Sequence, residues 1–338
     1  MGEGLNLKSL NKRPGLNGLP KNCLNSHIKL QSGRHARGVN VRILVTGAGG
    51  LVGSAVASSA ASTHEVFSTF NQHLPTYGTP MRLDLLDSGE IDRVIARVRP
   101  DAIVHAAAFT DVDKCERDNS LAEKVNHEAT KVISLAAKRV GALLVYVSTD
   151  YVFDGAKGRY EEDDHPNPAN YYGLTKLKGE TAVKAAGGDF CIARASVIYG
   201  GRPAAGKVNF ALWLIESLQK GQSVRVLEDQ FVSPTLDSSL AEMIIEVIER
   251  GLTGVFHLSG ASRVSRYDFA KEVAFAFGLD NTLIKPVTAD SMNWTAKRPA
   301  DSSLDVSKAA SVLHQKPIEI GEAMVRLRLA MNGASVRS

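Results

Sequence analysis

Tyr172 and Lys176 are the two residues whose types and spacing best suit proton transfer in this sequence. Four residues apart on a predicted helix, they lie on the same face. A tyrosine with a pKa near ~10 is a poor acid or base at neutral pH, but a nearby ammonium favours the phenolate and lowers that pKa. Because Tyr267 and Lys271 repeat the spacing, the spacing alone is a weak signal.

Hydroxyl side chains stand where a strand is expected to end before this helix. Ser148 and Thr149 follow a predicted strand over 142–147, and Asp150 and Tyr151 come next. Hydroxyl groups at the carboxyl end of a strand are well placed to hydrogen-bond a substrate carbonyl. Tyr172 lies 23 residues after Thr149, and Tyr267 has no such partner before it.

A glycine-rich turn near the start of the folded part supplies an anion site. Gly47, Gly50 and Gly53 follow the order G-x-x-G-x-x-G between a β-branched strand beginning at Val41 and a predicted helix over 54–61. Gly47 permits a sharp turn, Gly50 lets backbone amides approach a pyrophosphate, and Gly53 lets the helix pack close to the sheet. The helix N-terminus favours the anion. The predicted cofactor contacts here are Gly47, Gly50, Leu51, Val52 and Gly53.

Strands and helices alternate beyond this turn. Strands are predicted over 65–70, 102–105, 142–147 and 190–195, with helices over 88–98 and 121–140. This alternation predicts an α/β fold of the Rossmann type, a doubly wound parallel sheet with helices on both faces.

The later part of the chain is expected to form a smaller C-terminal substrate-binding lobe. Helices are predicted over 208–220, 236–250 and 267–277, with a short strand over 255–258. The predicted division places the NAD(P)-binding domain, with its Tyr/Lys helix, in residues 41–195, and mainly the substrate-binding lobe in residues 196–338.

The second strand bears on the choice of cofactor. It ends in Ser68-Thr69-Phe70-Asn71, without the carboxylate that binds the ribose hydroxyls in NAD-selective sites. The 2′-phosphate of NADP is therefore not repelled, which favours NADP. Because no Arg directly follows the strand to bind that phosphate, NAD stays open as the cofactor. Ala106, Ala107 and Ala108 follow the third strand, where small residues allow either a cofactor or a helix to approach closely.

Composition and charge exclude several classes of function. Residues 1–40 hold seven Lys or Arg and one Glu, a charge of +6, which leaves −2 for the remainder. We therefore expect a disordered basic leader and no nucleic-acid-binding body. Apolar runs fall short of the roughly 20 residues that cross a bilayer, and the acidic run at 161–164 is better explained as a solvated loop than as a metal site. The scattered Cys23, Cys115 and Cys191 favour a reducing, cytoplasmic location without disulfides or a metal site.

Three motifs together resemble the extended short-chain dehydrogenase/reductases. They are Thr46-Gly-Ala-Gly-Gly-Leu-Val-Gly53, Ser148-Thr-Asp-Tyr-Val-Phe-Asp-Gly155 and Tyr172-Gly-Leu-Thr-Lys176. Within that superfamily the chain is similar to dTDP-4-dehydrorhamnose reductases from Val41 onward. The segment from Ala107 to Glu116, Asp229-Gln230 with Pro234-Thr235, and Arg298-Pro299 carry the same resemblance.

The resemblance implies roles for these residues in reducing the 4-keto group of a nucleotide-linked deoxysugar with NADPH or NADH. Tyr172 is expected to protonate the ketone, Lys176 to lower its pKa and hold the nicotinamide ribose, and Thr149 to bond the carbonyl oxygen. Asn126 is expected to support a proton relay. Further expected contacts are Asp84 and Leu85 near adenine, Ala106, Ala107, Ala108 and Thr110 near the nicotinamide, and Asp150, Tyr151, Gln230 and Arg298 on the sugar-nucleotide side. A homodimer is compatible with this family.

One position departs from the family pattern. Bacterial members often carry a Trp directly after the Arg-x-Ser of the fifth strand, whereas this chain has Val197 after Arg194-Ala195-Ser196. The family's stacking contact with the nucleotide base is therefore not predicted here.

Two other functions remain open, a nucleotide-sugar epimerase and a regulatory subunit, and the sequence counts against a third, dehydration. Dehydratases of the superfamily need an Asp-Glu pair after the Thr, where this chain has Asp150-Tyr151. Epimerases commonly show a Ser-Ser pair and a larger substrate lobe. The regulatory β subunit of methionine adenosyltransferase resembles the same reductases, keeps the Tyr and Lys, and acts by binding a partner enzyme.

Overall fold

A parallel β-sheet forms the centre of the computed structural model, which describes residues 40–204, 206 and 208–335. The predicted leader therefore lies, except for Asn40, outside the described residues. In chain order the strands are β1 (Arg42–Thr46), β2 (Glu65–Phe70), β3 (Thr79–Arg82), β4 (Ala102–His105), β5 (Leu143–Thr149), β6 (Phe190–Tyr199), β7 (Val224–Leu227), β8 (Phe231–Val232), β9 (Pro234–Leu236), β10 (Gly254–His257), β11 (Val264–Ser265) and β12 (Ile284–Val287).

The helices alternate with these strands. They are α1 (Leu51–Ala60), α2 (Ser88–Val98), α3 (Val112–Arg117), α4 (Asn119–Glu123), α5 (Ala129–Val140), α6 (Tyr171–Ala186), α7 (Phe210–Gln219), α8 (Asp237–Arg250), α9 (Arg266–Phe277), α10 (Ser307–Val312) and α11 (Ile320–Ser335). None of the described helices is long and apolar enough to cross a membrane.

The main sheet has the strand order β10-β6-β5-β4-β1-β2-β3, and β9 pairs with the end of β6. Every pairing in it is parallel. The chain order reverses between β1 and β4, so a crevice opens at the carboxyl ends of these two strands, where ligands bind in open α/β sheets. The predicted doubly wound α/β fold is confirmed.

Alternating side chains of β1 explain why helices cover both faces. Ile43 and Val45 belong to a core shared with α1 and α8, whereas Leu44 belongs to a second core shared with α2 and α5. Successive residues of a strand point to opposite faces. All seven residues of β5 are buried, as expected of a strand covered on both sides.

Several predicted elements match the structure residue for residue. The strands at Glu65–Phe70 and Ala102–His105 and the helix Ser88–Val98 are confirmed. The Asp87 side chain accepts a hydrogen bond from Glu90 N at 2.9 Å and so caps the first turn of α2. Strand β3 was not predicted; its residues are mostly exposed and include Pro80, which is tolerated because β3 is an edge strand.

The helix predicted over 121–140 is interrupted. Helices α4 and α5 are joined by a π-helical segment, Lys124–Glu128, with Asn126 at its centre. Such segments are rare and occur frequently at functional sites. The hydrophobic period along this stretch does not reveal the change in helix type.

The elements expected in a separate C-terminal lobe divide between two places. Strand β10 pairs with β6 in the main sheet, and α8 packs against α1. Helices α7, α9 and α11 enclose a separate core with β7 and β12. Strand β6 itself runs through residue 195 to Tyr199. The expectation that all these elements form a smaller lobe is therefore wrong for α8 and β10, while the domain division at residue 195 stays a prediction.

Candidate active site

Two adjoining cavities lie at the carboxyl ends of β1, β4 and β5. The first has a volume of about 560 Å³ and the second about 530 Å³. The first brings together these predicted residues: Gly47, Gly50, Leu51, Val52, Gly53, Ala106, Ala107, Ala108, Thr110, Thr149, Asp150, Tyr172 and Lys176. The second contains Asp84 and Leu85 and shares Gly47, Gly50, Ala107 and Ala108 with the first.

The glycine-rich turn has the shape of an anion cradle. Gly47 has a φ of +69°, and a Cβ there would stand 2.7 Å from Ala107 Cα. A Cβ on Gly53 would collide with the Gly47 carbonyl oxygen, whereas one on Gly50 would meet only that oxygen, at 3.2 Å. Gly50 is the N-cap of α1, without a side-chain cap, so the first-turn amides are available to a ligand. The residues present fit the pyrophosphate of a dinucleotide cofactor.

The second cavity extends from this cradle past the end of β2. Its polar lining includes Asn71, Gln72 and His73, and Asp84 is the carboxylate among the described lining residues. Contacts from Asn71, Gln72 and His73 were not predicted from the sequence. Their position directly after β2 is a sequence signal that could have identified them. The cavity has the position and shape for the adenosine half of the cofactor.

Tyr172 and Thr149 face the first cavity together. The Asn170 side chain accepts a hydrogen bond from Gly173 N at 2.9 Å, and this cap starts α6 so that Tyr172 stands in its first turn. Burial raises the pKa of Tyr172 above its ordinary value, and a hydrogen bond with Thr149 opposes the rise. The phenol therefore holds its proton at neutral pH.

Lys176 is buried one turn after Tyr172. Its Nζ donates to the Val147 carbonyl at 2.8 Å and lies 4.0 Å from the centroid of the Tyr146 ring. Burial lowers the pKa of Lys176 to about 7, and the Glu180 carboxylate opposes this change. The ammonium is thus held by β5 in this structure, and the expected lowering of the Tyr172 pKa by Lys176 is not observed. The role of Lys176 in catalysis stays a prediction.

Asp150 is a buried carboxyl group in the wall of the first cavity. It accepts hydrogen bonds from the hydroxyls of Thr149 at 3.0 Å, Ser196 at 2.8 Å and Ser302 at 2.6 Å. Burial raises the pKa of Asp150, and these three hydroxyls oppose the rise. The group orients the Thr149 hydroxyl. Ser196 and Ser302 were not predicted, because no local pattern relates them to Asp150.

Asn126 holds the loop after β4 rather than lining either cavity. Its Oδ1 accepts from Phe109 N at 2.8 Å, and its Nδ2 donates to the Phe109 carbonyl at 3.0 Å and to Thr175 Oγ1 at 3.1 Å. All of these partners are internal, so the structure places Asn126 as a support for the cofactor loop. Its expected part in a proton relay stays a prediction.

A buried histidine supports the same loop and was not predicted. His105 Nδ1 lies 2.7 Å from Thr46 Oγ1, and its Nε2 lies 3.0 Å from Thr130 Oγ1. Thr46 Oγ1 also accepts from Ala107 N at 3.3 Å. Burial lowers the pKa of His105 to about 3, with the charge of Lys176 acting in the same direction, so His105 is a neutral structural residue at physiological pH.

Three residues expected on the sugar-nucleotide side, Tyr151, Gln230 and Arg298, are not among the described residues that line the first cavity. Tyr151 packs edge-on against Tyr172, with ring centroids 6.1 Å apart. Gln230 is buried and its Nε2 donates to the Pro299 carbonyl at 3.2 Å. Arg298 donates to Asp113 Oδ2 at 2.8 Å and lies over the Trp294 ring. Arg298 is therefore paired with the Asp113 carboxylate in this structure.

Val197 adds an unexpected feature to the cavity wall. Its φ is +42°, a left-handed conformation that is unusual for a β-branched residue. It lies where the pairing of β6 with β9 shifts register between Ser196 and Ile198, and its side chain lines the first cavity. Such strain costs of order 1–3 kcal/mol and is typical of functional sites.

The family model for the RmlD substrate binding domain matches residues 41–330. A dTDP-4-dehydrorhamnose reductase from Burkholderia thailandensis is 34% identical over 284 residues, covering 78% of this chain and 90% of the relative. The methionine adenosyltransferase 2 subunit beta of Bos taurus is 32% identical over 291 residues, covering 83% and 86%.

A solved structure matches over a similar length. The crystal structure of dTDP-4-dehydrorhamnose reductase from Bacillus anthracis in complex with NADP superposes with a TM-score of 0.78 at 29% identity. The superposition covers 86% of this chain and all of that one.

Proposed function

We propose that this chain, which belongs to the RmlD substrate binding domain family, reduces the 4-keto group of dTDP-4-dehydrorhamnose to give dTDP-L-rhamnose. The chain is an NAD(P)-dependent oxidoreductase, with NADP(H) as the first cofactor and NAD(H) as the alternative. The observation that carries the proposal is one cavity that joins the glycine cradle to Thr149, Tyr172 and Lys176. A cofactor and a ketone bound there are in reach of a phenolic proton donor.

The residues have the chemistry that a ketone reduction requires. The bound cofactor supplies a hydride to the carbonyl carbon. Tyr172, which keeps its proton because burial raises its pKa, donates that proton to the carbonyl oxygen, so that hydride and proton together give the alcohol. Thr149 lines the cavity with Tyr172, and its hydroxyl, which donates to Asp150 at 3.0 Å in this structure, has to turn its single proton to the carbonyl oxygen to position it near Tyr172.

We infer a preference for NADPH over NADH from the residues that line the second cavity. Asn71, Gln72 and His73 come after β2, and their side chains do not repel a 2′-phosphate as a carboxylate does. We therefore expect higher kcat/KM with NADPH than with NADH.

The test is the loss of NADPH absorbance with dTDP-4-dehydrorhamnose, for the wild type and for Tyr172→Phe. Removing a general acid lowers the rate by about 10²–10⁴-fold. Tyr171→Phe is the matched control, because the neighbouring Tyr171 hydroxyl makes a 3.5 Å contact with Glu123 and does not line the first cavity. Equal activity in Tyr172→Phe and the control contradicts the assigned acid.

A second candidate function is a regulatory one. It is favoured by the 32% identity to the methionine adenosyltransferase 2 subunit beta. In that case the wild type binds NADPH, oxidises none with dTDP-, UDP- or GDP-linked keto sugars, and co-purifies with a methionine adenosyltransferase catalytic subunit. Turnover without such an association supports the reductase.

A further inference from the structure

Three arginines lie around the predicted sugar-nucleotide side, and they differ in their partners. Arg263 is 2.6 Å from Asp301 Oδ2, and Arg298 is 2.8 Å from Asp113 Oδ2. Arg266 has no carboxylate within 4 Å among the described residues. A guanidinium without a carboxylate partner has donors left for a ligand.

Arg266 is held next to Gln230, one of the predicted substrate contacts. It is the first residue of α9, and its Nε donates to Gln230 Oε1 at 3.3 Å. Its guanidinium lies 5.6 Å from the centroid of the Phe210 ring. The side chain is only partly buried, so that it is both oriented by protein contacts and open to a ligand.

The electrostatic influence of Arg266 reaches the active site. Burial raises the pKa of both Asp150 and Tyr151, and the charge of Arg266 opposes that rise in each case. Tyr151 in turn packs edge-on against Tyr172. Arg266 is therefore linked to the predicted proton donor through two side chains, Gln230 and Tyr151.

The placement of Arg266 and Tyr172 on either side of Tyr151 and Gln230 suits a sugar nucleotide as the ligand. In a nucleotide-linked hexose the keto group on C4 and the diphosphate on C1 stand at opposite ends of the sugar ring. If the C4 oxygen is bound at Tyr172 and the ring extends past Tyr151, the diphosphate reaches the side of Gln230 and Arg266. The planar guanidinium fork matches the geometry of phosphate oxygens.

We propose that Arg266 binds the diphosphate of the sugar nucleotide, and that Arg298 instead fastens the segment around Pro299 to Asp113. This assignment rests on the proposed function, because it uses a nucleotide-linked sugar as the ligand. It differs from the sequence-based expectation, which placed Arg298 on the substrate and did not include Arg266.

The experiment measures ligand binding to the full chain by calorimetry in saturating NADP⁺, which occupies the cofactor site. The probes are dTDP and inorganic pyrophosphate. We expect Arg266→Met to weaken dTDP binding by about 10- to 100-fold, the loss of a charge-assisted hydrogen bond, and Arg266→Lys to weaken it less. Arg263→Met is the matched control, because Arg263 stacks on Phe231 and pairs with Asp301.

Each outcome of the binding experiment supports or overturns the assignment of Arg266. Equal dTDP affinity in Arg266→Met and Arg263→Met overturns the assignment, as does a wild type that binds neither probe. If the wild type binds pyrophosphate or dTDP through Arg266 but reduces no keto sugar, the anion site stands and the proposed reaction fails. Thermal unfolding of every variant, together with unchanged NADP⁺ affinity, shows that a loss of binding is not a loss of fold.

Discussion

Arg298 Nη2 donates to Asp113 Oδ2 at 2.8 Å, joining two residues 185 positions apart in the chain. Asp113 Oδ1 also accepts from the backbone amides of Thr295, at 3.1 Å, and Ala296, at 2.8 Å. Both side chains are largely buried, with 13% of Arg298 and 23% of Asp113 exposed. One carboxylate therefore fastens the C-terminal segment beside the active site to the start of α3.

Arg298→Met is expected to lower the free energy of unfolding by about 1–3 kcal/mol, because it leaves a mostly buried carboxylate without its cation. Urea unfolding measures this change. The control is Arg93→Met, whose 3.6 Å contact with Asp87 joins two exposed side chains and is worth less than about 1 kcal/mol. Equal effects of the two variants contradict the fastening role of Arg298.

The Arg298–Asp113 pair also predicts that the free energy of unfolding depends on pH in the acidic range. Burial raises the pKa of Asp113, but hydrogen bonds from Ala296 and Thr295 and the charge and hydrogen bond of Arg298 outweigh this and lower it overall. A carboxylate with a lowered folded-state pKa stabilises the protein above its unfolded-state pKa, and the contribution is lost as the pH falls through the folded-state value. Asp113→Asn should therefore be less stable than the wild type at pH 7, with the difference shrinking below about pH 4.

The lowered pKa of Lys176 predicts how the free energy of unfolding changes with pH in the alkaline range. Its folded-state pKa is about 7, lowered by burial, whereas an unfolded lysine titrates near ~10.4. Between these values the unfolded state binds more protons, so stability rises with pH by at most about 1.4 kcal/mol per unit. Lys176→Met should remove this slope. Urea unfolding at pH 7.0 and 8.5 compares the two proteins, and equal slopes contradict the prediction.

Arg194 and Glu180 form a fully buried ion pair behind the active site. Arg194 Nε and Nη2 donate to the two carboxylate oxygens at 2.9 and 2.8 Å, and Ser148 donates to Glu180 at 2.7 Å. We expect Glu180→Gln to cost about 3–5 kcal/mol in unfolding free energy, because it leaves a buried guanidinium without a counter-charge. The double variant Glu180→Gln, Arg194→Met should cost less than the sum of the single variants. Additive costs would show that the two side chains do not act as a pair.

Gly50 and Gly53 should respond differently to replacement by alanine. A Cβ on Gly53 collides with the Gly47 carbonyl, whereas Gly50 has room, with 3.2 Å to the same atom. Gly53→Ala is expected to lower both the melting temperature and NADPH affinity. Gly50→Ala should keep the fold but weaken NADPH binding by about tenfold, because its methyl group intrudes on the anion cradle. Unchanged NADPH affinity in Gly50→Ala contradicts the placement of the pyrophosphate.

The sequence alone determined the features that depend on neighbours along the chain. Glycine spacing marked the turn after β1, apolar patterns predicted the bounds of β2, β4 and α2, and the Tyr172–Lys176 spacing marked the face of α6 that reaches the cavity. These features arise from backbone sterics, side-chain periodicity and local capping, which act within a few residues.

Only the tertiary structure decided which distant residues meet. Asp150 is held by Ser196 and Ser302, Arg298 is paired with Asp113, and Arg266 has no carboxylate partner in the part of the chain that the structure describes. Strand β10, predicted as a strand of the smaller lobe, joined the main sheet, and β3, which was not predicted, formed the edge of that sheet. Such pairings depend on which surfaces the packed sheet brings together, and residues far apart in sequence carry no local pattern that records their partners.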